Sequence, residues 1–392
     1  MLIPPHNFLP VRKYINPIII GLIFLVITAF ASKIGSRGAV GFSIFFCIYL
    51  FIKSWPEIKI VTSNNAVLFG VFFLICFMGT TYSIITANNF SLFQFARSQI
   101  WSLILPIMGL AYFRKGLNFS SFQFEYLFKV IETYFLLITL VCIFELLTGE
   151  MITPVYIRAI NEDNSFPRLY MIGMELVSPL FPIFLIRKKY LSALCSFFIL
   201  ILTGGKSALL TWILAVFYWA FSRKVGNFKR FLVVGFLFAV TFFYVNYIGS
   251  RIYDFYDSGD SRRMDQIYDG VSFIEKSPIT ILIGGGLGTP YSEAYYKNDM
   301  DHDALYEQKI LLENSRYDIE NGYVYMLVRF GLIGTILYLL ILFRSFGRYK
   351  PYVILSYLLF CLGSSPTGAS TAVEFAFFGI SAAYISRIPK NV

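Results

Sequence analysis

Charged residues are scarce in this chain of 392 residues. They make up 14% of it, whereas about 25% is usual for a globular protein, while 57% of the residues are hydrophobic and the mean hydropathy is +0.66. A water-soluble fold could not bury so much apolar surface. The composition therefore excludes a soluble enzyme or binding domain and predicts an all-α, polytopic integral membrane protein.

Histidine and cysteine, the usual metal ligands, are also few. The two histidines are His6 and His302, and the five cysteines all fall in apolar segments, so no metal-ligand spacing occurs. A nucleotide site is not supported either, because Gly205-Lys206-Ser207 lacks the earlier glycine and the preceding strand of a phosphate-binding loop. The sequence predicts neither a metal nor a cofactor.

Apolar runs near bilayer length predict about twelve transmembrane helices. Their bounds are 15–32, 38–52, 66–85, 99–112, 130–147, 169–186, 190–203, 207–222, 231–249, 320–343, 351–363 and 371–386. The pair 190–203 and 207–222 also fits one broken or re-entrant unit.

The first segment ends in Ala29-Phe30-Ala31, which mimics a signal-peptide cleavage site, but the eleven segments behind it favour a retained helix.

The distribution of lysine and arginine predicts the orientation of these helices. With a cytoplasmic N-terminus, the cytoplasmic segments hold 19 of the 33 basic residues and the short loops opposite hold 6. Both termini are therefore predicted to be cytoplasmic, and the net charge of +10 needs no nucleic acid as a partner. The predicted order is helices one to nine in 1–249, a large non-cytoplasmic loop at 250–319, and helices ten to twelve in 320–392, all in one membrane domain.

The large loop carries 13 of the 23 acidic residues. Apolar residues recur in it at helical spacing and predict an amphipathic helix along the membrane surface, ending before Pro278: Met264, Ile267, Tyr268, Val271 and Ile274. The glycine run from Gly284 to Gly288 fits either the hinge of a mobile lid or a turn-rich loop.

Ionisable residues at the ends of membrane helices or inside them are costly and are therefore functional candidates. Each has a structural alternative: Glu320 also fits a carboxylate at a helix N-terminus, and Arg329 also fits a buried ion-pair partner. The candidates at the predicted external side are Lys206, Arg158, Arg168 and Glu320, and together they form a cluster of cations with one carboxylate at the membrane surface.

Three blocks resemble the O-antigen polymerase and O-antigen ligase superfamily of bacterial surface-polysaccharide assembly. Residues 202–210 are similar to its Ser/Thr-Gly-Ser-Arg-x-Ala segment, with Lys206 at the arginine position. Arg263, Pro278 and the glycine run resemble its arginine–helix–Pro–Gly-x-Gly block. Residues 320–323 with 331–334 resemble its His-Asn-x-Tyr … Gly-x-x-Gly block, but Glu320 stands where ligases use histidine, which favours the polymerase branch.

The resemblance implies a glycosyltransferase of the bacterial inner membrane that polymerises oligosaccharide repeat units held on polyprenyl pyrophosphate, at the periplasmic face. Glu320 is the expected general base, and Lys206 and Arg263 are expected to stabilise the leaving pyrophosphate. The expected substrate-binding residues are Arg158, Arg168, Arg262, Asn321 and Tyr323. The expected partners are the lipid-linked oligosaccharides, membrane lipid, and a chain-length regulator and a flippase of the same pathway.

Two other functions stay open on the sequence alone. An O-antigen ligase would transfer finished glycan to lipid A core, and Glu320 in place of histidine argues against it. A flippase for lipid-linked oligosaccharides, or another transporter, would be expected to bury charges in a central cavity and to show repeated halves. The charges instead gather in one external loop, and a purely structural scaffold leaves the cation cluster unexplained.

Overall fold

A computed structural model describes residues 15–33, 36–87, 90–148, 177–203, 260–292, 321–344, 350–363 and 369–388, together with 213–214, 216–217, 235, 317, 319 and 346. These residues form helices and no strand. The helices are α1 Pro17–Lys33, α2 Ser36–Lys53, α3 Trp55–Asn64, α4 Ala66–Ala87, α5 Leu92–Gln94, α6 Ile100–Leu117, α7 Ser121–Thr148, α8 Val177–Ile186, α9 Tyr190–Thr203, α10 Asp260–Glu275, α11 Pro278–Ile283, α12 Gly322–Phe343, α13 Lys350–Gly363 and α14 Ala369–Arg387, with a π-helical turn at Phe95–Gln99.

Ten of the twelve predicted apolar segments contain one of these helices. The other two, 207–222 and 231–249, lie almost wholly outside the described residues, so the count of twelve stays a prediction. Within the described part, three helical stretches are long and apolar enough to cross a membrane: Ala66–Thr86, Ser121–Phe144 and Gly322–Phe343. The all-helical class is thus confirmed, and the periplasmic placement of the large loop stays a prediction.

The chain divides into two compact units, and the first consists of Met1–Phe42, Phe119–Met174 and Tyr190–Thr203. Its described helices include α1, α7 and α9. Helix α1 lies close to α7 because Gly21 leaves room for Thr133, whose methyl carbon would be 3.0 Å from a Cβ atom at Gly21. Next to Thr133, the hydroxyl of Tyr134 donates to the Thr28 hydroxyl of α1 at 3.3 Å, and the ring of Phe24 meets that of Tyr134 edge-on. Small and aromatic residues thus join these helices.

The second unit consists of Ser43–Asn118, Glu175–Lys189 and Gly204–Val392. Helices α6 and α14 make close backbone contact in it, because a Cβ atom at Gly379 would lie 2.3 Å from the Gly109 carbonyl oxygen. Glycine pairs of this kind let membrane helices approach without side chains between them. Helix α12 packs against α4 through the buried rings of Phe72, Phe330 and Tyr338. That aromatic core fixes α12, on which the candidate site depends.

The amphipathic helix predicted in the large loop is confirmed as α10, and it ends at Glu275, before Pro278. The face that packs against the protein is not the predicted apolar face, whose placement along a membrane surface stays a prediction. Gln266 and Gly270 are buried, and a Cβ atom at Gly270 would meet side chains of Ile319 and α12, whereas Tyr268 is 63% exposed. The short helix α11 follows and was not predicted, although its signal is present: Ser277 caps it, with Pro278 as its first residue.

Candidate functional site

Helix α12 is broken at Gly331, one of the glycines of the third family-like block. Gly331 has φ 62° and ψ −174°, a conformation that is essentially confined to glycine. The break withdraws the usual amide donors from the carbonyl oxygens just before it. Those carbonyls accept instead from the glycine run: the Gly285 amide donates to the Val328 oxygen at 2.7 Å, and the Gly286 amide to the Arg329 oxygen at 3.1 Å.

The glycine run fills the space between α12 and α4. Gly284 has φ 72°, and a Cβ atom there would lie 2.5 Å from the Gly331 nitrogen, so two glycine backbones touch. On the other side, Thr80 of α4 accepts the Leu287 amide through its hydroxyl oxygen at 3.0 Å. Residues 284–289 are all buried. This burial and bonding favour a packed turn over the hinge of a mobile lid.

The contact between the glycine run and α12 lies deep along the helix. Gly331 is nine residues from the start of α12, which is about 14 Å along the axis. Non-helical backbone at such a depth in a membrane is tolerated only where protein satisfies its polar groups. The bonds to Val328 and Arg329 meet that requirement.

Arg329 ties the end of the glycine run to the segment before α12. Its side chain is fully buried, and its guanidinium donates to the carbonyl oxygens of Gly286, Thr289 and Tyr317. The guanidinium carbon also lies 5.8 Å from the centre of the Tyr325 ring. Burying a cation is expensive, and these carbonyl oxygens offset part of the cost. Arg329 therefore joins two separate segments of backbone at one point.

Gln99 adds a second tie to the same segment. It is fully buried at the end of the π-helical turn, its amide nitrogen donates to the Tyr317 carbonyl at 3.3 Å, and its amide oxygen accepts from the Tyr325 hydroxyl at 2.7 Å. Single π-helical turns occur preferentially at functional sites. The Tyr317 carbonyl thus receives Gln99 and Arg329 together, three residues before Glu320.

Asn321 and Tyr323, both predicted to bind substrate, open α12. Asn321 is the N-cap, and its side-chain oxygen accepts from the amides of Tyr323 and Val324 at 3.1 Å each. The Tyr323 hydroxyl donates to the Leu358 carbonyl of α13. Both side chains therefore have structural bonds, and their role towards substrate stays a prediction.

Arg262 and Arg263 lie in the first turn of α10. That helix touches the start of α12 through Gly270, next to Val324. Seven residues separate Arg263 from Gly270, which is about 10 Å along the helix axis. At the other end of the packed turn, the Ser292 hydroxyl donates to the Asp269 carboxylate at 2.8 Å. Helix α10 is thus fixed to the same end of α12 that carries Asn321.

The remaining predicted site residues lie outside the described residues: Glu320, Lys206, Arg158 and Arg168. The part of the chain that the structure describes holds no group of histidine, cysteine and acidic residues suited to a metal ion. The expectation that the protein uses no metal stays a prediction.

Two features of this region were not predicted from the sequence. Gln99 carries no motif, and the π-helical turn that buries it has no signal in the apolar pattern. Arg97, two residues earlier, is an exposed cation at the same end of α6, with its guanidinium 5.8 Å from the centre of the Phe93 ring. Its position beside a predicted external end of a span was the available signal.

The chain was compared with known families, curated proteins and solved structures. Residues 191–339 match a family described as O-antigen ligase. No curated protein and no solved structure matches the chain. The matched family comprises glycosyltransferase-like enzymes of polysaccharide and lipopolysaccharide biosynthesis. The match includes α10, the glycine run and most of α12, and it supports the resemblance of this part of the chain to the O-antigen polymerase and ligase superfamily.

Proposed function

We propose that this protein is a polymerase that joins polyprenyl-pyrophosphate-linked oligosaccharide repeat units into O-antigen or a related surface polysaccharide. The observation that carries the proposal is the family match over 191–339, which contains all three family-like blocks completely. Its proposed location is the bacterial inner membrane, with the reaction at the periplasmic face and both termini in the cytoplasm. The proposed partners are the lipid-linked substrates, membrane lipid, a chain-length regulator and a flippase.

The proposed reaction is a glycosyl transfer. An acceptor sugar hydroxyl attacks the anomeric carbon of the donor, the bond from that carbon to the pyrophosphate oxygen breaks, and the lipid pyrophosphate leaves. Glu320 takes the proton of the attacking hydroxyl. Lys206 and Arg263 stabilise the negative charge that develops on the pyrophosphate, so the step needs no ATP.

The remaining predicted residues bind the substrates in this scheme. Arg158, Arg168 and Arg262 supply guanidinium forks for pyrophosphate oxygens. Asn321 and Tyr323 face the acceptor.

The backbone on either side of Glu320 supports the scheme, because the Tyr317 carbonyl is held by Gln99 and Arg329, and Asn321 is held as a helix cap. A general base needs such fixed surroundings to act at a defined geometry.

A ligase is the second candidate, because the matched family is described as O-antigen ligase. Transfer to lipid A core would use the same donor chemistry with a different acceptor. The departure at Glu320 from the histidine that ligases use supports the polymerase instead.

Surface polysaccharide from cells that lack the gene for this protein, separated on a gel, distinguishes the candidates. A polymerase predicts loss of the ladder with single-repeat material retained on the core. A ligase predicts a normal ladder on the lipid carrier and none on the core. A transporter predicts that repeat units stay on the cytoplasmic side of the membrane, and that result contradicts both enzymes. Restoring the intact gene should restore the ladder.

A further inference from the structure

We propose that a cavity at the far end of α12 binds the phosphate of an anionic membrane phospholipid. The cavity has a volume of about 270 Å³ and lies between α3, α6 and the C-terminal end of α12. Two cations line it, Arg114 and Arg344, together with the amide of Asn64. Its apolar lining includes Leu110, Phe113 and Leu117.

The two arginines are placed as if for a shared anion. Neither guanidinium donates a hydrogen bond to, or forms an ion pair with, any other residue that the structure describes. Both arginines are exposed to solvent at the edge of the cavity, and both attract an anion that binds in it. A phosphate is the natural choice, because a guanidinium binds two of its oxygens through parallel N–H donors.

The position of the cavity along the helices indicates which phosphate it binds. Asn64 and Asn65 directly precede the membrane-crossing stretch Ala66–Thr86, and Arg344 directly follows Gly322–Phe343. The cavity therefore lies where both stretches leave the hydrocarbon region, at the depth of lipid headgroups. Basic pockets between helices at this level bind anionic headgroups. The apolar lining suits the first acyl carbons of the same lipid.

The neighbouring helix α3 has the features of a membrane interface. Trp55 at its start is 47% exposed, and the ammonium of Lys59 lies 5.6 Å from the centre of its ring. Tryptophan and lysine are enriched at this level of membrane proteins. The interfacial character of α3 is independent of the two arginines and favours a lipid over a soluble phosphate.

This site is separate from the proposed reaction. Asn321 is the N-cap and Arg344 the C-cap of α12, so the two residues lie at opposite ends of its 22 residues. Binding at the cavity can therefore be tested without measuring glycosyl transfer, and its failure leaves the proposed function untouched.

The test uses the full-length protein, purified in detergent and stripped of lipid, with native mass spectrometry to measure bound phosphatidylglycerol. Wild type should bind phosphatidylglycerol and not phosphatidylcholine. Arg114→Gln and Arg344→Gln should each weaken that binding about tenfold, as expected for a lost charge-assisted hydrogen bond. Asn64→Asp should also weaken phosphatidylglycerol binding, because it adds a negative charge to the cavity with almost no change in side-chain shape. Lys350→Gln is the matched control, since Lys350 is an exposed cation at the same end that does not line the cavity.

Three results would overturn the proposal. Equal binding of phosphatidylcholine shows that the net negative charge of the lipid is not recognised. Unchanged binding in Asn64→Asp and in the arginine variants, or equal loss in Lys350→Gln, shows that the cavity is not the site. Displacement of phosphatidylglycerol by millimolar inorganic phosphate identifies a soluble phosphate as the occupant and contradicts the lipid assignment.

Discussion

Glu320 is the residue on which the proposed chemistry depends most directly. Glu320→Gln keeps the volume and the hydrogen-bonding capacity of the side chain but removes its ability to accept a proton. Polymer formation from lipid-linked repeats should fall by about 10²–10⁴-fold, the usual contribution of a positioned general base. The melting temperature of the purified variant should hardly change. If Glu320 is only a helix-end carboxylate, worth about 0.3–1 kcal/mol, the variant should be slightly less stable and fully active.

Charge at positions 206 and 263 should matter more than the identity of the side chain, because the leaving pyrophosphate needs nearby cations. Lys206→Arg should retain activity, whereas Lys206→Ala and Arg263→Ala should each lose about 10²-fold by comparison with the loss of one charge-stabilising donor. The length and intensity of the polysaccharide ladder, at matched protein levels, measures this. Normal ladders in both alanine variants contradict the assignment.

Arg329 has a structural role that is separate from these. Arg329→Met removes the buried donor for the carbonyl oxygens of Gly286, Thr289 and Tyr317. Because these oxygens then lack their partner, the protein should lose about 2–5 kcal/mol of stability. Thermal unfolding in detergent without added phospholipid measures the loss. Arg344→Met is the control, an exposed arginine at the other end of α12 that should cost no more than about 0.5 kcal/mol. Equal melting temperatures for the two variants would show that the carbonyl contacts contribute nothing.

At the scale of elements, the break in α12 rests on one glycine. Gly331→Ala introduces a Cβ atom 2.5 Å from the Leu282 carbonyl carbon, at a positive φ that alanine disfavours. The variant should lose at least about 2 kcal/mol. Gly70→Ala in α4 is the matched control: nothing lies within 4 Å of the added atom, and helix propensity predicts a gain of up to about 1 kcal/mol. A stable Gly331→Ala protein would mean that α12 can straighten without the glycine run.

The elements that the sequence predicted best are those with a strong local signal. Apolar length located α4, α7 and α12, and helical spacing located α10, because these features depend on residues close together in the chain. Which elements pack against each other could not be predicted in the same way. The spacing of α10 predicted an apolar face along the membrane surface, but it did not show which face touches α12, because that face is marked by Gly270, which has no side chain. The glycine run was found as a motif, but its bonds to Val328 and Arg329 depend on the break at Gly331, which lies far along the chain.

At the scale of the whole molecule, the prediction that governs the others is orientation. Reporter fusions at residues 227 and 347 should read cytoplasmic, and a fusion at residue 295 should read periplasmic, because 19 basic residues against 6 favour that arrangement. A paired phosphatase and fluorescent-protein reporter at each position measures this. A cytoplasmic reading at 295 would remove α10 and Glu320 from the face where lipid-linked repeats are presented.

The broken helix also has a consequence for how the protein is made. A ribosome releases the chain from its N-terminus, so α11 and the glycine run emerge before α12. If α12 crosses the bilayer, the carbonyls of Val328 and Arg329 need donors inside it, and those donors have already been synthesised in the glycine run. The insertion machinery must then accept α11, the glycine run and α12 together. Biogenesis, as well as the folded state, thus constrains the spacing between Gly284 and Gly331.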